Sequence, residues 1–462
     1  VLARPLALAA LLVLPAVAGC AATGERPAVD RWEETGERRA EIARSARAEA
    51  PEPGPGEAVA ELPADAGLPE LLAWAEAHDA GLRAAYRSWE ASLERVPQAR
   101  NLPDPRFTWV YFIEPVETRV GPQRNRFGLS QTFPFFGKLG FRGEMAVHDA
   151  NAAAACYEEA RRQLRYRVTR SWNEYWLLGR SLAITRENVQ LLKHLESVAL
   201  ASYSAGRAPH AAVIKAQIEL GRLEDRLRTL EDRRSSVLAQ LNADLGRPAT
   251  APLDWPDELP QSPDPPPDDE LHDLLVENNP ELAALAAERE RESAAVALSG
   301  RSGLPDLTLG VEYIDTGEAR MPNVSDSGKD AIMAMASVNI PLWFGKYGAE
   351  KEEARAREAS AAGKREDREQ QLLADLERVG FGLRDALRRI DLYEHTLLPK
   401  ARQSVGVLED AFTAGRADFL DLVDAQRTLL EFELALERAS ADRTTLAAEL
   451  EMILGIDLRP AP

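Results

Sequence analysis

The chain is poor in the residues that build catalytic and metal centres. It has two cysteines, Cys20 and Cys156, and six histidines, at positions 78, 148, 194, 210, 272 and 395. The histidines never come together at metal-ligand spacing, and no CxxC pair, H-E-x-x-H or Gly-rich phosphate loop occurs. No enzymatic site and no cofactor are expected. Positive charge is also short: 56 Lys and Arg stand against 75 Asp and Glu, a net charge of −19. That balance excludes nucleic acid as a partner, because phosphate binding needs basic patches. Aromatics are only 6% while charged residues are 28%, which favours long helices over a compact mixed core. After the N-terminus no run reaches the roughly 18 apolar residues that a membrane-crossing helix needs.

What is present begins with "VLARPLALAALLVLPAVAGC". Arg4 followed by about a dozen apolar residues reads as a secretory signal, too short to span a bilayer. It ends in Val17-Ala18-Gly19-Cys20, which resembles the lipobox of bacterial lipoproteins; the resemblance implies cleavage before Cys20 and acylation of its thiol. A disulfide framework is then excluded. Cys156, in an Ala-rich helical run, reads as a small buried residue. The mature chain is expected to be periplasmic and lipid-anchored, or to cross a membrane as strands.

The rest is one unit written twice. "NLPDPRFTWVYFIEP" (101–115) matches "GLPDLTLGVEYIDTG" (303–317), and "SQTFPFFGKLGFRGEMAVHDANAAAA" (130–155) matches "SVNIPLWFGKYGAEKEEARAREASAA" (337–362). "SAGRAPHAAVIKAQ" (204–217) matches "TAGRADFLDLVDAQ" (413–426), and each half closes alike, with "LNADLGRP" (241–248) against "EMILGIDL" (451–458). The expected organisation is a signal peptide over 1–19, a lipidated leader over 20–64, a first repeat over 65–247, a Pro-rich linker over 248–270 and a second repeat over 271–459. Each repeat is expected to carry a β-hairpin (about 105–134 and 306–341) and a helical hairpin (about 137–247 and 344–459).

The helical parts are long. No proline interrupts 136–208 or 343–398. Gly179 weakens continuity without ending it. Leu376, Val379, Leu383, Ala386, Ile390, Tyr393 and Leu397 follow a heptad seam, which Leu422, Ala425, Leu429, Phe432 and Leu436 resume after the turn. Pro399 predicts a kink or short break. The β parts alternate: Phe107, Trp109 and Tyr111 against Thr108 and Val110, then Phe127 to Phe133, then 307–313 and 332–340. Runs of about 9–11 residues suit tilted membrane strands, joined through the turn-rich segments 116–125 and 316–329. Four such strands cannot stand in lipid with open edges, so other copies of the chain must close them.

This combination resembles the TolC-like bacterial outer-membrane efflux channels. The duplication, the "FPFFGK" and "IPLWFGK" junctions and the closing "AGRADFLDLVDAQRTLLEFELALERA" carry the resemblance, over roughly 65–459. It implies a mainly α fold with a membrane β-barrel: a homotrimer with four strands per protomer in a shared twelve-stranded barrel, continued by an α-helical barrel. It implies a channel in outer-membrane lipid that exports small solutes with a periplasmic adaptor and an inner-membrane pump. Pro134, Gly137, Pro341 and Gly345 would mark the strand-to-helix junctions. Asp421 and Asp424, three apart on one helix face, would ring the periplasmic gate and concentrate cations. The turns allow left-handed glycine; their residues Gly206, Arg207, Gly415 and Arg416 would meet the adaptor or pump. Lys215, equivalent to Asp424 in the first copy, is a candidate counter-charge. The lipidated N-terminus, "VETRVGPQ" and "TFPFFGKLG" are most similar to the heavy-metal branch, with metal cations as cargo. Multidrug channels share the same body, and a lipid-anchored periplasmic coiled-coil adaptor is the reading outside this family. His210, and Met333 with Met335 on one strand face, are weaker candidates for metal contact.

Overall fold

The computed structural model describes residues 62–458, apart from 64, 135, 136, 257 and 261–264. The signal segment and Cys20 lie outside the described residues.

Each repeat opens on a short helix and a longer one separated by a capping residue: α1 (Leu68–His78) and α2 (Ala80–Arg100), later α5 (Asp268–Asn278) and α6 (Pro280–Ser302). The break is built alike both times. Asp79 Oδ1 accepts from Leu82 N at 2.6 Å, and Asn279 Oδ1 accepts from Leu282 N at 2.8 Å. Each side chain satisfies one of the orphan donors of a helix start.

The strands β1 (Arg106–Tyr111), β2 (Glu117–Thr118), β3 (Gly121–Phe133), β4 (Leu307–Thr316) and β5 (Ala331–Val338) form one antiparallel sheet. Its order is β1-β3-β4-β5, with β2 beside the far end of β3. The strands are less uniform than the alternation predicts. β1 has 6 residues and β3 has 13. β3 starts inside the segment read as a turn, because the β2 hairpin holds its first residues. Gly121 makes this approach feasible: at φ 134° it lies so near Gly317 O that a Cβ would sit 1.8 Å away.

From β3 the chain enters α3 (Lys138–Ser204), 67 residues or roughly 100 Å of unbroken helix. It turns into α4 (His210–Asp244). Gly179 does not interrupt α3; the linker crosses there, and a Cβ on Gly179 would lie 2.8 Å from the Trp255 ring. Tyr175 stacks on that ring and donates its hydroxyl to Leu253 O at 2.9 Å. Cys156 is exposed, contrary to the small-core reading. The surrounding alanines are half-buried, so the run is small because helices pass closely and not because it is enclosed.

The second descent is interrupted. α7 (Phe344–Leu392) gives way to a π-helical turn at Tyr393–Leu397, and α8 (Leu398–Thr413) follows before α9 (Phe419–Leu454) returns. Pro399 sits at the start of α8, so the interruption lies just upstream of the proline and not on it. Proline lacks an N–H and its ring crowds the carbonyl four residues back, and a five-residue hydrogen-bond step relieves both. The inserted residue re-phases the seam. Leu376, Val379, Leu383 and Ala386 are buried above the turn; below it the buried positions are Leu398, Ala401, Val405 and Phe412, one residue later than the heptad count.

Among the described residues three large apolar clusters hold the body, and a small fourth one gathers Trp176, Leu177 and Ala441. One joins α1, α3 and α4 around Trp172 and Leu241, and its counterpart joins α5, α7 and α9 around Val379 and Leu450. The third lies at the turns and takes residues from both repeats: Leu195 and Ala199 from α3, Val213 from α4, Val405 from α8, and Leu422 and Val423 from α9.

Candidate functional site

The sheet has two unlike faces. Register places Trp109, Phe127, Tyr313 and Ile332 in one cross-strand row, and Phe107, Leu129, Val311 and Ala334 in the next row on that face. Nearly every one of these apolar side chains is exposed, with Phe127 and Tyr313 stacked. The other face carries Thr108, Gly128, Glu312 and Met333 in one row and Arg106, Ser130, Gly310 and Met335 in another. There Arg126 Nε lies 3.7 Å from Glu312 Oε2, and the hydroxyls of Thr132 and Thr308 share a 2.9 Å hydrogen bond. Alternation thus sorts an apolar surface from a polar one. Six residues of strand separate Tyr313 from Leu307, about 20 Å of apolar height. Met333 and Met335 fall on the polar face, opposite Glu312 and Gly310.

Below the apolar face the chain changes from strand to helix, and the two junctions differ. At the first, Gly137 adopts φ 77° and precedes α3, four residues on from the strand. At the second, Gly345 lies inside α7 and Trp343 takes the position before the helix. The second junction has one more residue between proline and glycine, and helix begins earlier to absorb it. Ile340, Leu342, Trp343 and Phe344 are left exposed there, a second apolar belt at the opposite edge of the sheet from the Trp109 row. Beside it, Lys138 is 5% exposed and its Nζ donates to Leu304 O at 2.6 Å and to Asp306 Oδ1 at 2.9 Å. This link between repeats is not visible in the sequence of either motif alone. Its only signal is that FGK and LPD recur at matching places in both halves.

The far ends of the helices carry the duplicated turns, and both close identically. Gly206 N donates to Tyr203 O at 2.9 Å and Arg207 N to Ser202 O at 2.9 Å; Gly415 N donates to Phe412 O at 2.9 Å and Arg416 N to Ala411 O at 2.8 Å. With φ of 71° and 70° at the glycines, each is a Schellman motif. An aromatic pair then links the two arms of each turn. Phe412 meets Phe419 at 5.3 Å, and Tyr203 meets His210 at 4.9 Å. His210 therefore occupies the place of a packing phenylalanine.

Asp421 and Asp424 are both exposed in the first turns of α9. Asp418 caps that helix by accepting from Leu420 N at 3.3 Å. Arg427 donates to Asp424 Oδ1 at 3.4 Å and, on the other side, to Glu219 of α4, with Nε–Oε2 at 3.1 Å. The hydrogen bonds to Glu219 come first among the causes that raise the Arg427 pKa. Lys215 is half-buried and makes no ion pair among the described residues. Glu219 and Arg427 were not legible as a pair, because they are separated by more than the length of a repeat and occupy positions that the duplication does not equate.

Residues 271–456 match the family described as outer membrane efflux protein. The chain is 24% identical over 397 residues to the cobalt-zinc-cadmium resistance protein CzcC of Cupriavidus metallidurans, covering 84% of this chain and 90% of that protein. Among solved structures it resembles the outer membrane protein VceC of Vibrio cholerae, at a TM-score of 0.71 and 19% identity over 85% of this chain and 97% of that one. It also resembles the transmembrane channel CusC, at 0.71 and 14% identity over 84% and 92%. At these identities the structural likeness concerns the fold.

Proposed function

We propose that this chain, whose residues 271–456 match the outer membrane efflux protein family, is the outer-membrane duct of a tripartite exporter for metal cations. In this reading three copies close a barrel and a helical tube, and a periplasmic adaptor and an inner-membrane pump dock at the tips around Gly206, Arg207, Gly415 and Arg416. The observation that carries it is the two-faced sheet. An exposed apolar face some 20 Å high, bounded by aromatic rows, needs lipid on one side. The polar face, with Arg126, Glu312 and paired threonines, then lines water. The sheet's outer edges, on β1 and β5, have no partner among the described residues, and lipid forbids open edges. Metal cargo is supported by the CzcC relative and by the acidic tip, where Asp421 and Asp424 would form rings about the axis with Lys215 as counter-charge. Anchorage at Cys20 rests on the lipobox.

The test is complementation. A strain lacking the gene is challenged with cobalt, zinc and cadmium salts and with organic toxicants. Restored metal tolerance with unchanged toxicant tolerance is the expected result. Rescue against organic toxicants only would replace metal cargo with the multidrug reading. Purified protein that never conducts in planar bilayers would sink the duct itself.

A further inference from the structure

Three layers of the molecule are open rows of four. The sheet runs β1-β3-β4-β5, the helices beneath it run α2-α3-α6-α7, and at the tips the order is α4-α3-α9-α8. In every layer the central contact joins repeat 1 to repeat 2. Repeat 1 always forms one end, with β1, α2 and α4; repeat 2 forms the other, with β5, α7 and α8. A duplicated chain with such ends can repeat its own central contact with the next copy. The residues at the ends show what that contact would use.

Inside the chain the central contact is clamped by Lys138 of repeat 1 on Asp306 of repeat 2, at 2.9 Å. The repeat equivalents are Lys346 and Asp104. Both are exposed, and neither makes an ion pair among the described residues. Lys346 lies past β5 near the start of α7, and Asp104 lies just before β1, so they flank the two unpaired edges. At the tip the same relation recurs with apolar groups. Val423 is 4% exposed in the shared cluster, and Val198 packs against that cluster. Their equivalents, Ile214 and Val407, are 46% and 60% exposed and stand on the outer helices α4 and α8.

We propose that Lys346 of one copy clamps Asp104 of the next, as Lys138 clamps Asp306 within the chain, and that Val407 packs on Ile214 some hundred ångströms away, about the length of α3 at 1.5 Å per residue. The proposal rests on the reading of the protein as a cyclic assembly and adds the residues that set its register. The extra residue in the second junction places Lys346 third in α7 where Lys138 is first in α3, a displacement that a flexible lysine stem spans.

The experiment uses the full-length protein, extracted from outer membranes in mild detergent. Asp104→Lys and Lys346→Asp are expected each to lose the detergent-resistant oligomer, and the double charge swap to regain it. A carbodiimide, which joins only touching amine and carboxylate, should couple Lys346 to Asp104 between chains, read by mass spectrometry. In a Cys156→Ser background, Ile214→Cys with Val407→Cys should give disulfide-linked oligomers, and either alone should not. A conducting wild-type oligomer that ignores the single swaps and yields neither cross-link would overturn this register and leave the duct standing. A wild-type protein that stays monomeric and silent in bilayers would overturn both.

Discussion

Arg427 of the second tip reaches Glu219 of the first, with Nε 3.1 Å from Oε2, while its other arm meets Asp424 of its own helix. One guanidinium thus ties the acidic turn of α9 to α4. Bidentate arginine–carboxylate pairs are stiff as well as favourable. Glu219→Ala is expected to release α9 from α4 and to raise single-channel conductance in planar bilayers. Arg427→Lys, which cannot fork, should fall between wild type and Glu219→Ala. Identical conductance in all three would remove the pair from any gating role.

Asp421→Asn with Asp424→Asn keeps the shape of the turn and removes its exposed charge. If the two carboxylates ring an aperture, cation preference falls. The reversal potential across a potassium chloride gradient would move toward zero by several-fold in permeability ratio. A ratio equal to wild type means that neither carboxylate faces the conduction path.

The Lys138 clamp is asymmetric in its exposure. Asp306→Ala leaves a buried ammonium with only the Leu304 carbonyl, and removing one partner of a buried pair costs on the order of 3 kcal/mol. Lys138→Met leaves a carboxylate with access to water and should cost less. Thermal unfolding of the purified protein should rank Asp306→Ala as the more damaging change; the reverse order would mean that the aspartate, not the lysine, is the group enclosed.

Burial, and after it the charge of Glu281, holds the Glu159 carboxyl above its usual range, with Arg368 opposing. A carboxyl whose folded pKa exceeds the unfolded one is costlier to ionise in the fold. Its contribution to stability is present at low pH and is lost as pH rises through the folded value. Glu159→Gln keeps the oxygen that accepts from Gln163 Nε2 at 2.8 Å. It should raise the melting temperature at neutral pH, with the gain vanishing below about pH 4. A loss at pH 7 would mean that the pairing with Arg368 outweighs burial.

Much of this was legible in the sequence for physical reasons that act locally. Alternation made Phe107, Trp109 and Tyr111 a strand, heptad spacing set Leu376 to Ala386 on the buried seam, and glycine in AGRA specified the left-handed turn. What escaped depended on distance or on register. Nothing near Lys138 announces Asp306, and Glu219 and Arg427 meet only because two hairpins are packed side by side. His210 resembled a lone exposed ligand until Tyr203 was found against it. Pro399 signalled a disturbance correctly but not its form: a register slip placed upstream, after which Leu398 and not Leu397 is the fully buried residue.

That slip has a mechanical meaning. Each residue of helix turns its successor by about 100°. Threaded into regular helix, the extra residue of the second arm would swing everything below it by that angle. The π-helical turn at Tyr393–Leu397 lodges it locally instead, as a bellows takes up length without turning the shaft. The buried faces of the two arms therefore stay in step. Leu164, Val168, Tyr175 and Leu178 of α3 answer to Leu372, Leu376, Leu383 and Ala386 above the turn, and Val189 and Leu192 answer to Leu398 and Ala401 below it. Two arms of unequal length thus deliver the same face to their tips, and what tells them apart there is the residue itself, Asp424 against Lys215.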